Sequence, residues 1–220
     1  MAPRSQACTD GGGHVTTKEL QDSLTPESVL ADLKAGNERF ISGNRQSRDW
    51  IGLAESTAAS QHPKAVILGC IDSRVPVEVI FDQAIGDVFV ARVAGNFIND
   101  DILGSMEFAT ELAGAKLVVV LGHTCCGAVM GALDDARLGH ITKMLANIKP
   151  AIEKVAQPGE AIASSNASLL DRVTDENVRQ AVHNVQSQSE VMSEAIRANT
   201  VKVVGAVYEL NSGRVRWIEE

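Results

Sequence analysis

Three stretches, KAVILGC (64–70), GDVFVARVAG (86–95) and AKLVVVLGH (115–123), decide the fold. Each is a short apolar run rich in β-branched residues, and none alternates polar with apolar. Continuous hydrophobicity of this length marks strands buried on both faces, hence a parallel sheet covered by helices. Between the second and third runs lies DDILGSMEFATELAG (100–114), whose spacing predicts a helix ending at Gly114. Crossovers of one hand then bring the ends of the three strands to one edge of the sheet.

Outward from these strands, TPESVLADLKAGNERFISG (25–43) carries a helix signature. Thr25 can cap, Pro26 stands at the first helical position, and Val29, Leu30, Leu33 and Phe40 recur at helical spacing. Residues 44–60 are polar and read as a loop followed by a short helix. Toward the C-terminus, helices are expected around 139–156 and 168–199, separated by a loop with Pro158 and Gly159. KVVGAVYEL (202–210) and RVRWIEE (214–220) then form a strand pair turning at 211–213. The expected organisation is a flexible leader over 1–24 and one domain over 25–220 that includes an N-terminal helical arm (25–60). The fold class is α/β: a mainly parallel central sheet flanked by helices, with the C-terminal strand at the sheet edge.

The 220 residues, 45% of them hydrophobic, suffice for one good core. A net charge of −8 without a run of one sign argues against nucleic acid or an anionic membrane surface as partner. No apolar run approaches the roughly 20 residues that cross a bilayer. The first 19 residues lack the apolar centre of a secretory signal, so the expected location is cytoplasmic, or periplasmic if a signal has been removed. The four cysteines, Cys8, Cys70, Cys125 and Cys126, have no disulfide-framework spacing. They imply free thiols, a metal site, or both.

In open α/β sheets, ligands bind beyond the carboxyl ends of the strands. Cys70 ends the first strand and opens CIDSR; His123 ends the third and opens HTCCG. A histidine and a cysteine three residues apart at a strand-to-helix turn can face one point. Cys126 has that spacing and Cys125 does not, while Gly122 and Gly127 leave the backbone room to turn. Cys70 completes a set of two thiolates and one imidazole, which with one open position matches a catalytic zinc site. Taken singly, each residue has a blander role as a core cysteine or a hydrogen-bonded core histidine. Asp72 and Arg74 alternate with Cys70 along one wall, where the guanidinium fork can hold the carboxylate beside a metal-bound water.

The pattern CIDSRVP, GDVFVARVAGN and GHTCCGA, with the LKAGNERF helix and the GAVYEL strand, resembles the β-class carbonic anhydrase family over most of residues 25–220. The resemblance implies one Zn2+ per chain, held by Cys70, His123 and Cys126. It makes Asp72 and Arg74 the catalytic dyad, with Asp72 able to become a fourth ligand in a closed state. The implied reaction is reversible hydration of carbon dioxide to bicarbonate and a proton through a zinc-bound hydroxide. Hydrolysis of carbonyl sulfide or carbon disulfide on the same scaffold is an alternative, and a silent structural zinc a more distant one. Implied substrate contacts are Gln61, reaching from a partner subunit, with Val75, Phe89 and Gly127; His62 is a candidate proton shuttle. Phe108 stands where the family often has tyrosine. Arg92 and Tyr208 match a second bicarbonate site of some members, but Ile67 replaces its tryptophan. The resemblance further implies an exchanged helical arm and a homodimer or tetramer. Cys125, outside the signature, is expected as a buried thiol beside the metal.

Overall fold

The structure is a computed structural model and describes residues 15–218. Five strands form one sheet in the order β2-β1-β3-β4-β5. They are β1 (Ala65–Gly69), β2 (Val88–Arg92), β3 (Leu117–His123), β4 (Lys202–Tyr208) and β5 (Val215–Ile218). The first four are mutually parallel, and β5 closes one edge antiparallel to β4. From β1 the chain steps to β2 on one side and then to β3 on the other. That reversal leaves a crevice between the carboxyl ends of β1 and β3, the usual ligand position in an open α/β sheet.

The absence of polar alternation in the strands is explained by cover on both faces. Val66, Leu68, Val118, Val120, Val203 and Val207 enter one core with α5 (Asp100–Glu107), α9 (Ala167–Gln188) and α10 (Glu190–Arg197). Ala65, Ile67, Leu117, Val119 and Leu121 point to the opposite face, against α2 (Pro26–Ile41) and α4 (Val77–Ile80). Neighbours Ile67 and Leu68 are both fully buried on opposite faces, each stabilising the fold by about 2 kcal/mol. A third core, with Cys70, Cys126, Val129 and Ile148, lies beneath the crevice. It is built by α6 (Gly127–Leu133), α7 (Gly139–Leu145), α8 (Lys149–Val155) and α9. Gly122 of β3 and Gly205 of β4 lie under α9. A Cβ would come within 2.6 Å of Val178 at Gly122 and within 2.8 Å at Gly205, so the missing side chains set how closely α9 approaches.

Helix α2 begins as its sequence indicates: Thr25 and Ser28 cap each other reciprocally and Pro26 opens the first turn. Its buried Val29 and Leu33 pack on this chain's own sheet. Asn37 ties it to Ile80 O, Gly213 O and Val215 N. This half of the expected helical arm thus packs within its own chain; α3 (Trp50–Thr57) is the other half.

Four further expectations need correction. The leader expected over 1–24 already contains α1 (Lys18–Ser23), whose buried Gln21 donates to Pro63 O and Ala113 O; residues 1–14 lie outside the described residues. The helix expected over 100–114 widens into a π-helical turn at Phe108–Leu112. The one expected near 139–156 divides into α7 and α8, where Pro150 starts a new helix. The one expected near 168–199 breaks at Ser189, which is extended and caps α10 while donating to Glu107 Oε1 at 2.6 Å. Among the described residues no helix is long and apolar enough to cross a membrane.

Candidate metal centre

Cys70, the residue after β1, and His123, the last of β3, meet across the crevice with Cys126, the N-cap of α6. One ligand-type atom from each lies within 4.8 Å of the others. The two sulfurs are 3.9 Å apart. Three contacts fix this arrangement. Thr124 continues the β3–β4 ladder one residue beyond His123: its N–H donates to Tyr208 O and its hydroxyl accepts from Leu210 N. Cys125 then takes a left-handed φ of 53°, which separates the directions of the two adjacent cysteines. Gly95, after β2, points its N–H at Cys70 Sγ at 3.4 Å.

His123 is fully buried. Its Nδ1 is 3.0 Å from Thr124 O, a contact that needs the proton on Nδ1 and leaves a lone pair on Nε2. Nε2 has no hydrogen-bond partner, and a buried nitrogen in that state calls for one. The thiols behave as a pair. Cys70 is pushed toward thiolate, first by a hydrogen bond from the Cys126 thiol. Cys126 is pushed strongly the other way, first because its proton is held in that hydrogen bond to Cys70, then by burial and by the negative charge its loss would set beside Cys70. A divalent cation removes that conflict. At a Zn–S distance near 2.3 Å, tetrahedral geometry separates two sulfurs by about 3.8 Å, so this donor set fits zinc in number, type and spacing.

Asp72 stands beside the cluster and outside it, with Oδ2 3.9 Å from His123 Nε2. Arg74 holds it as a fork: Nε and the backbone N–H donate to Oδ1 at 2.9 Å each, and Nη2 donates to Oδ2 at 2.8 Å. These bonds hold the carboxyl well below the usual carboxylate range, chiefly through the Arg74 side chain. Arg92 reaches over from β2, donating to Cys70 O at 2.8 Å and Asp72 O at 2.6 Å, and so braces the turn.

Of the four expected substrate contacts, only Gly127 lies beside the cluster, with open space where a Cβ would be. Gln61 precedes β1, so the whole strand separates it from Cys70. It lies in a groove with Thr57 and Gly86, and His62, the next residue, likewise precedes β1. Phe89 is paired with Val66 at the start of β2 and packs edge-on against Phe108, ring centres 6.2 Å apart. Val75 is fully buried in the α2-side core. The CIDSR turn, closed by Val75 N–H to Asp72 O, sends that side chain inward, so it offers no accessible wall. Ile67 is likewise core, and Arg92 is engaged with the turn backbone. Cys125 corrects another expectation: it is exposed, carried outward by its left-handed φ.

Sequence reasoning missed the Gly95 support and the residue behind it. Asn177 of α9, buried, donates Nδ2 to Gly95 O at 2.8 Å. Gly95 has φ 87°, and a Cβ there would come within 2.7 Å of Ile148 Cδ1 and 3.2 Å of Ala128 Cβ. The glycine closing GDVFVARVAG was the available signal, since a strand followed by Gly-Asn marks a turn that needs positive φ.

A half-covered parallel switch point carrying two thiols, an imidazole and a braced carboxylate defines an α/β protein built around a three-ligand metal centre. Comparison with known proteins gives the family. Residues 65–215 match the family model described as carbonic anhydrase, and this chain belongs to the carbonic anhydrase family, in its β class. It is 38% identical over 198 residues to Carbonic anhydrase 2 of Mycobacterium tuberculosis, spanning 87% of this chain and 92% of that protein. The crystal structure of the β-carbonic anhydrase CafA of Aspergillus fumigatus superimposes with a TM-score of 0.70 at 28% identity, covering 88% of this chain and 90% of that one. One of two tetrameric β-carbonic anhydrases of Sordaria macrospora matches at TM-score 0.66 and 25% identity, covering 78% and 92%.

Proposed function

We propose that this chain is a zinc enzyme that interconverts carbon dioxide and bicarbonate at Cys70, His123 and Cys126. The observation that carries the reading is the unpartnered His123 Nε2 facing two thiols, beside a carboxylate already committed to an arginine. Zinc held there supplies a Lewis acid that makes water nucleophilic near neutral pH.

The chain's own residues do the rest. Cys70 and Cys126 bind as thiolates, the first supported by the Gly95 N–H. His123 is fixed in one tautomer by Thr124 O. Asp72 Oδ2 accepts a hydrogen bond from the attacking water and so aims its lone pair at the carbon of carbon dioxide. Arg74 keeps Asp72 in that role, because its three bonds are lost if the carboxylate swings onto the metal. Gln61 and Phe89, which this chain does not bring to its own centre, act there from a second copy. A homodimer or higher assembly is therefore the working form.

Stopped-flow hydration of carbon dioxide by zinc-quantified protein tests the reading. Activity at neutral pH is expected, with Asp72→Asn retaining its zinc and losing about a hundredfold in turnover. No hydration with one zinc per chain would overturn the activity, and unchanged turnover in Asp72→Asn would overturn the dyad.

A further inference from the structure

A cavity of about 430 Å³ opens beyond the end of β2, between residues 97–100, the junction of α7 with α8 and one face of α9. Its volume falls in the range of small-molecule pockets, about 300–1,000 Å³. Six carboxamides line it: Asn99, Asn147, Asn177, Gln180, Asn184 and Gln188. The last four stand on α9 at spacings of three and four, which put them on one helix face. The charged residues of α9, at 171, 172, 175, 176 and 179, are absent from this lining. Among the described residues Asp100 is the single charged side chain in the wall, and no lysine or arginine borders it. None of Cys70, Asp72, Arg74, His123 and Cys126 takes part, so the cavity is separate from the metal centre.

Much of the hydrogen-bonding capacity of this wall is unused. A carboxamide carries two donors and an oxygen that accepts twice. Asn99 Oδ1 accepts from Ile102 N–H, Asn147 Nδ2 donates to Met144 O, and Asn177 Nδ2 donates to Gly95 O. Each of these side chains thus engages one end of its amide. Gln180, Asn184 and Gln188 have no side-chain partner among the described residues, although Gln180 and Asn184 are half-buried. Apolar contact between the amides comes from Phe97, Pro150 and Ala181. The described ends of the chain lie elsewhere: Thr16 donates to Asp87, ahead of β2, and Ile218 pairs with Gly205 in the middle of β4.

We propose that this cavity binds a neutral polyhydroxylated molecule about the size of one sugar ring. A hydroxyl both donates and accepts, as a carboxamide does, so a ring of hydroxyls can answer a wall of amides group for group. The Asp100 carboxylate accepts from a further hydroxyl. The C–H faces of such a ring rest on Phe97, Pro150 and Ala181. A phosphorylated or carboxylated ligand would need a cation to replace its lost hydration, and the wall has none.

Saturation-transfer NMR on the zinc-loaded full chain, titrated with D-glucose or myo-inositol, tests this. At least one of the two is expected to bind saturably, with a Kd of about a millimolar, and gluconate and acetamide are expected to bind more weakly. Gln180→Ala combined with Asn184→Ala should weaken binding at least about tenfold, as the loss of one or two hydrogen bonds requires. Ala146→Trp, at an exposed position on the rim, should block it. A cooperative urea transition shows that each variant is folded. Absence of saturable binding would overturn the proposal, including the case in which an end of the chain itself fills the cavity. Tighter binding of gluconate or acetamide, or unchanged affinity in either variant, would overturn it equally. A change of oligomeric state in Gln180→Ala with Asn184→Ala would assign the amide face to a second copy, with the same consequence.

Discussion

Replacing Gly95 by alanine perturbs the metal centre without touching a ligand, and its cost can be worked from the structure. At φ 87° a Cβ incurs about 1–2 kcal/mol from the left-handed backbone alone. The new methyl would also sit 2.7 Å from Ile148 Cδ1 and 3.2 Å from Ala128 Cβ. Ile148 is fully buried but only its terminal methyl must move, so overpacking adds about 1–2 kcal/mol. Gly95→Ala should therefore lose about 2–4 kcal/mol in urea unfolding at neutral pH. The same displacement moves the N–H off Cys70 Sγ and strains the Asn177 bond to Gly95 O. Zinc affinity, read by chelator competition, should fall by about fivefold, the equivalent of one hydrogen bond. Ile148→Val removes the clashing atom, so adding it should return the packing share of the loss and none of the backbone share. A loss below about 1 kcal/mol with unchanged zinc affinity would show that the loop carries no such constraint.

Two more predictions concern other parts of the molecule. Asp82 is buried; burial raises its pKa, but Arg39 at 2.5 Å, Arg48 at 2.5 Å and the Gln46 N–H outweigh this and lower it. A depressed carboxyl contributes stability that is complete above its unfolded pKa of about 4 and is lost as pH falls through the folded value. Stability against urea should therefore fall more steeply from pH 5 downward in the native chain than in Asp82→Asn; equal slopes would refute the ion cluster. In a Cys8→Ser background, a thiol reagent should label Cys125 at once and Cys70 and Cys126 only after chelation, since the first is exposed and the others buried. Rapid labelling of three thiols in zinc-loaded protein would contradict the assigned centre.

The parts of the site visible in the sequence are those fixed by short spacing at strand ends. Cys70, Asp72 and Arg74 share one turn, and His123 and Cys126 share another; the parallel register brings the two turns together. Asn177 could not be read this way. It lies 82 positions from the carbonyl it holds, on a helix whose pattern speaks only of burial. Cys125 was misjudged because adjacency suggested a common environment, whereas a single left-handed residue separates the two thiols. Val75 was expected as a pocket wall from the family resemblance alone, whereas the CIDSR turn carries its side chain into the α2-side core. Long helices were read as continuous because their apolar spacing persists across Ser189, whose tie to Glu107 is tertiary. The covered parallel sheet was legible, since continuous β-branched runs admit few other arrangements, while the strand order β2-β1-β3-β4-β5 was not.

Gly205 lies in the middle of β4 and Gly122 directly precedes His123, and both work like shims. Both sit beneath Val178, and the next residue back along the helix is Asn177, whose amide holds the loop that supports Cys70. The thickness of filling between sheet and helix is thereby converted into the height of one carbonyl at the site. A methyl added in the middle of a strand would lift the helix by a fraction of its own diameter and tilt that carbonyl with it. Catalytic alignment in this molecule thus depends on a machining tolerance held between sheet and helix, by residues that carry no side chain at all.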